Sequence, residues 1–176
     1  MASPFHSLLQ DQISHEFTAA QQYISIGVHF DSNKLPQLAR RFYTQAREER
    51  GHALMMVQYL LDRDVPVQVG GLGEVVSTFD TMRAPLELAL RQERDVTDKI
   101  AELSRTARAS GDYLGERFMQ WFLSAQVDEI ASMTTLLTVF DRAAGNLFDV
   151  EDFLARESRG GAQADPTAPK LAGGGV

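Results

Sequence analysis

The chain has no cysteine among its 176 residues. That excludes disulfides, thiolate zinc sites, iron–sulfur clusters and cysteine nucleophiles. Long apolar runs are missing as well. No stretch approaches the roughly 18 uninterrupted apolar residues of a membrane-spanning helix, and MASPFHSLLQDQISHEF at the N-terminus has no basic segment leading into an apolar one. The chain therefore reads as soluble and cytoplasmic, with no membrane role. Basic residues are in the minority, 17 Lys and Arg against 24 Asp and Glu, for a net charge of -7. A surface built for nucleic acid is not expected, and cationic partners are favoured, metal ions being the simplest. The glycines of GGLGEVV belong to no GxGxxG or GK[ST] pattern, so they read as loop glycines and not as a phosphate cradle. What the chain does have is 44% hydrophobic residues, enough for the core of one domain.

Punctuation along the chain gives the architecture. DSNKLP (31–36) ends one helical pattern and starts a second, with Pro36 near the first helical position, where its missing N–H is harmless. The second pattern runs to about Arg63. VPVQVGGLGEVVSTFD then lacks a helical period and reads as a long connection. A third helix is expected from about Thr81 to Ala109, SGD (110–112) makes a tight turn, and a fourth helix runs to about Ala143. After Gly145 and Asn146 comes a short amphipathic segment, LFDVEDFLARE. The predicted fold is all-α: a four-helix bundle in residues 1–157, with helices about 40 Å long, a long crossover between the second and third and a short fifth helix. Residues 158–176 are rich in Gly, Pro and Ala and are expected to be a disordered tail.

Steps of three and four trace one apolar stripe per helix. The first carries Leu9, Ile13, Glu16, Ala20 and Tyr23; the second Leu38, Phe42, Gln45, Glu49, His52, Met56 and Tyr59. The third carries Leu86, Ala89, Glu93, Val96, Ile100 and Leu103, and the fourth Phe118, Phe122, Gln126, Glu129, Met133, Leu136 and Phe140. Each stripe is interrupted near its middle by acid or other metal-capable groups, and mid-helix positions of a bundle share one level. Glu16, Glu49, His52, Glu93, Gln126 and Glu129 should therefore converge. No Lys or Arg stands on the stripes at that level, and a buried unpaired carboxylate costs several kcal/mol. A cation must enter. Four carboxylates with a neutral imidazole and a neutral amide balance two divalent ions, and Glu49, at the centre, is placed to bridge them. Oxygen ligands with one nitrogen suit Fe(II) or Mn(II). Glu49 and His52 lie three apart, which points both at one helix face.

Glu16, Glu49-x-x-His52, Glu93 and Gln126-x-x-Glu129, in this order and in this bundle, resemble the non-haem bacterial ferritins, closely those of actinobacteria. FTAAQQY (17–23), EERGHALMM (48–56) and FMQWFLSAQVDE (118–129) carry most of the likeness. The resemblance implies an iron-storage protein and ferroxidase. It would be a homo-oligomeric cage of 24 subunits that oxidises Fe(II) to Fe(III) at a dinuclear centre, with O2 or peroxide, and holds ferric mineral inside. By the family pattern Glu16, Glu49 and His52 hold one iron. Glu49 bridges to a second, held with Glu93 and Glu129, while Gln126 lies beside the pair, Tyr23 stands next to the site and Trp121 nearby.

Departures from the relatives sharpen these expectations. Bacterioferritins carry a second Glu-x-x-His where this chain has Gln126-x-x-Glu129, and hold haem through a methionine directly after the bridging Glu, where this chain has Arg50. Haem is not expected. A third iron position would use Glu48 and Asp128, but Ala125 stands where a further acid is common and Arg47 adds repulsion, so no third tight iron is expected. Asp112 and Glu116 fall where the family places its threefold channels. The fifth helix, with Phe148, Phe153 and Leu154, is expected to pack on symmetry mates. The alternatives are a non-storing diiron oxidase or peroxidase, a haem-containing bacterioferritin, or a metal-free structural bundle.

Overall fold

A computed structural model describes residues 3–159 and 164–174. The described residues form five helices and no strand: α1 (Pro4–Ser32), α2 (Pro36–Asp62), α3 (Ala84–Ala109), α4 (Tyr113–Arg142) and α5 (Leu147–Ser158). None is long and apolar enough to cross a membrane. Local chemistry accounts for the boundaries. Ser3 caps α1 by accepting from the His6 amide at 3.2 Å, with Pro4 just inside the helix. Lys34, at φ 62°, makes the left-handed step between α1 and α2. Thr81 accepts from the Ala84 amide at 3.1 Å, so the early start read for α3 marks the turn that leads into it. Gly111, at φ 73°, closes the next turn, and Asp112 caps α4 through the Gly115 amide at 2.9 Å.

The crossover has the direction that its length allowed. Along α1, the Gln10 side chain donates to the Pro66 carbonyl at 2.7 Å, Thr18 accepts from the Gly73 amide at 3.0 Å, and Gln22 exchanges two bonds with the Val76 backbone. Phe79 then packs on His29, their rings 5.1 Å apart. The segment climbs α1 from its N-terminal to its C-terminal end, so α3 starts there and runs parallel to α2. Side-chain amides of α1 satisfy backbone groups that a structureless link would otherwise leave to water.

Two apolar clusters fill the bundle, one on each side of the polar level. One holds Phe30, Leu38, Phe42, Leu86 and Met133; the other holds Phe5, Leu9, Met56, Ile100 and Phe122. One expectation is corrected here. Leu154 of α5 faces its own bundle and not a symmetry mate: with Val150 it is buried in the first cluster, while Phe148 stays 81% exposed. Helix α5 is held there because Glu151 accepts from the Gln37 and Leu38 amides, each at 2.9 Å, and so caps α2, whose own cap residue Leu35 makes no side-chain cap bond. The tail was expected to be disordered over 158–176. Within 164–174 it lies against the second cluster through Ala168, Leu171 and Ala172, its Ala172 amide donating to the Leu54 carbonyl at 3.1 Å. For residues 160–163 and 175–176 the expected disorder lies outside the described residues.

Candidate metal centre

All six predicted residues lie between the two apolar clusters. Glu16 comes from α1, Glu49 and His52 from α2, Glu93 from α3, and Gln126 and Glu129 from α4. All but Glu129, which is half-buried, are buried. Glu16, Glu49 and His52 each direct a ligand atom to one point, with those atoms all within 4.8 Å of one another. The His52 Nδ1 stands 3.2 Å from Glu49 Oε2. The Glu16 Oε2, although buried, has no hydrogen-bond partner among the described residues, while its Oε1 accepts from Gln12 at 2.7 Å. A buried, unpartnered carboxylate oxygen facing a second carboxylate and an imidazole is the surrounding that a cation completes.

The other half of the level is held by hydrogen bonds. Tyr23, fully buried and stacked on Phe42, donates its hydroxyl to Glu93 Oε1. Gln126 donates to Glu93 Oε2 at 3.1 Å and to Thr97 at 3.0 Å. Gln45 donates to Glu49 Oε1 at 2.8 Å and to Glu129 Oε2 at 2.9 Å. Glu48 and Asp128 join Glu129 around a cavity of about 660 Å3 between α2 and α4.

Burial dominates the electrostatics. It pushes Glu16 well above the ordinary carboxylate range, with the neighbouring Glu49 adding to it. Burial also pushes Glu49 up, but the charge and hydrogen bond of His52 outweigh it and hold Glu49 low. His52 is pulled down by burial and, against that, carried up to about 9 by Glu49, then Glu16 and Glu129. Glu93 is pushed up to about 8 by burial and Glu49, and Glu129 to about 7 by burial, Glu49 and Glu48. Burial and the adjacent Glu93 raise Tyr23 well above the usual phenol, so it stays protonated. The neutral imidazole read from the sequence is thus a property of a metal-bound site. Without a cation the surrounding acids raise His52, which favours the charged form that offsets them, while Arg41 acts on Glu129 and Glu48 from the rim. Glu48 too is pushed up by burial, its largest influence.

Sequence reasoning missed three contributors. Arg41 reaches the rim of the level, donating to Gln45 Oε1 at 2.7 Å and to Ser132 Oγ at 2.8 Å. Gln12 and Gln45, which received no role, orient Glu16 and Glu49. The signal was present: Gln12 lies four residues before Glu16, Gln45 four before Glu49 and Arg41 four before Gln45, all same-face spacings. Trp121, read as a nearby aromatic, sits 5.8 Å from the His52 ring and donates its indole N–H to Asp165 of the tail at 2.9 Å.

Known proteins resemble this chain along most of its length. A family model described as a ferritin-like domain matches residues 6–143. The Ferritin BfrB of Mycolicibacterium smegmatis is 61% identical over 170 residues, which is 97% of this chain and 93% of that protein. The Ferritin BfrB of Mycobacterium tuberculosis is 56% identical over the same shares. Among solved structures, an open pore ferritin from Archaeoglobus fulgidus is similar with a TM-score of 0.85 at 26% identity, over 90% of this chain and 98% of that one. With the family model spanning most of the chain and relatives more than half identical along nearly all of it, the chain belongs to the ferritin family.

Proposed function

We propose that this protein is an iron-storage ferritin whose subunit oxidises Fe(II) at the mid-bundle site and passes Fe(III) to a mineral held inside a closed multi-subunit cage. The observation that carries it is the meeting of Glu16, Glu49 and His52 around the unpartnered Glu16 oxygen, with Glu129 tied to Glu49 through Gln45 and Glu93 held at the same level by Tyr23 and Gln126. Fe(II) is the substrate. Glu16, Glu49 and His52 take the first ion; Glu49, Glu93 and Glu129 take the second, flanked by Gln126. Each Fe(II) gives one electron to O2 or peroxide, and Glu49, reaching both positions, sets the distance between them. Tyr23 holds Glu93 through its hydroxyl and is placed to supply an electron. The raised Glu16, Glu93 and His52 must release protons as cations enter, so loading is favoured as pH rises. Arg50 after the bridging Glu leaves haem without its usual methionine ligand.

Cage assembly is supported by the family and by apolar side chains that a single subunit leaves exposed, among them Val28, Leu114 and Phe148. The decisive experiment measures particle mass together with iron content per subunit and the initial rate of Fe(II) oxidation. A monomer or dimer that oxidises Fe(II) without retaining it would support a non-storing oxidase instead.

A further inference from the structure

The carboxylates Glu49 and Glu129 belong to different helices, and one side chain ties them together. The Gln45 amide nitrogen has two N–H groups and directs one to Glu49 at 2.8 Å and the other to Glu129 at 2.9 Å. A glutamine could equally present its oxygen, which would repel both acids. What fixes the choice is Arg41, which can only donate: its Nη1 engages the Gln45 oxygen at 2.7 Å, so the nitrogen must face the carboxylates. Arg41 is itself held across to α4 by Ser132 at 2.8 Å. Gln45 is fully buried, whereas Arg41 stands where the site opens into the cavity that Glu48, Asp128 and Glu129 also line. The chain Ser132, Arg41, Gln45 therefore starts on α4, crosses to α2 and returns to α4 at Glu129.

We propose that Arg41 and Gln45 are positioning residues for the second metal position, holding Glu129 at a fixed span from Glu49 so that the pair closes on a cation without first being gathered. Glu129 needs such a tie more than its partners do. It is half-buried at the cavity edge, and Gln45 is its one hydrogen-bond partner among the described residues. Released from Gln45, it swings to the cavity, and a ligand that must be ordered on binding weakens affinity. Neither Gln45 nor Arg41 bonds Glu16 or His52 among the described contacts, so of the first position's ligands only Glu49 loses a partner, and His52 still holds its other oxygen.

The inference rests on the two-position reading above, and an anaerobic titration of the assembled, iron-stripped protein with Co(II) separates the two. Two resolved binding steps per subunit are required of the unmodified protein. Their absence would overturn the reading itself. In Gln45→Met, of similar volume but without donors, the second step is expected to weaken about tenfold and by more than the first, since Glu129 loses its one partner while Glu49 keeps His52. Equal weakening of both steps would overturn the assignment to the second position. Arg41→Met, at the accessible rim, tests the same tie without touching a buried position and is expected to act in the same direction. Arg41→Lys, which can still donate to Gln45, should restore part of the loss, a rescue that general destabilisation would not give. Both steps unchanged in Gln45→Met, or a second step that tightens, would overturn the positioning role.

Discussion

The two halves of the metal level solve the same problem differently. Around Glu16, Glu49 and His52 a buried acceptor is left open and an imidazolium supplies the countercharge. Around Glu93 and Glu129 the carboxylates are already satisfied by Tyr23, Gln126 and Gln45, and burial raises both acids so that they tend to hold protons. An open acceptor costs stability and is ready for a cation; a satisfied one is stable and must exchange protons and hydrogen bonds to bind. In the proposed reading the first half loads before the second, and Glu49 is the only carboxylate both halves use.

Breaking that shared element has the largest expected effect. Glu49→Ala should reduce initial Fe(II) oxidation by more than the roughly 10- to 100-fold typical of losing a metal ligand's supporting partner, with folding and assembly kept, as stopped-flow absorbance and particle mass would show. Unchanged rates would sink the site assignment. Next, Glu93→Gln and His52→Ala should separate the halves. The first variant is expected to retain one tight cation per subunit, and the second to lose the early step, in anaerobic titration. Two cations still bound by Glu93→Gln would show that the halves are not divided as described.

The pH dependence sharpens the comparison further. Glu129, Glu93 and His52 titrate near about 7, about 8 and about 9, all above their unfolded values. The stability these groups contribute to the metal-free protein is present at low pH. The carboxylate contributions decline from about pH 4.5 to about 8, and that of His52 from about 6.5 to about 9. Cation affinity runs the other way and should rise through the same range. Melting temperatures with and without Co(II) are therefore expected to diverge as pH rises from 6 to 9, and parallel curves would contradict the protonated, metal-free site.

Smaller effects test what lies beside the pair. Ala125→Glu should create or strengthen a third position with Glu48 and Asp128, seen as an added binding step, and Arg47→Glu should speed mineral growth without altering the first fast phase. Three equally tight ions in the unmodified protein would refute the reading behind both. The smallest change is expected of Glu116→Ala. Glu116 is engaged by Arg108, and Asp112 caps α4 and meets Arg63 at 3.4 Å, so structural duties account for much of what these acids do. If Glu116 also guides cations, oxidation at limiting Fe(II) should slow by roughly tenfold or less, an effect that salt suppresses. No change at low salt would leave Glu116 with its ion pair alone.

The sequence by itself determined the four long helices, the parallel return of α3, the polar level and the six residues on it. These follow from periodicity: a side chain's face on a helix is set by its position along the chain, and an acid in an apolar stripe is visible without any partner. Only the tertiary structure decided which group answers which. It placed Arg41 through Gln45 onto two helices, set His52 among acids that raise it, closed the N-terminus of α2 with Glu151 from 113 residues further along, and laid the tail across the face that holds Trp121. Such pairings have no local period, because they join segments distant in sequence whose separation is fixed by packing. The contacts of Ala168, Leu171 and Ala172 with the second cluster are pairings of this kind, since apolar side chains scattered in a Gly- and Pro-rich segment carry no period that names the surface they cover.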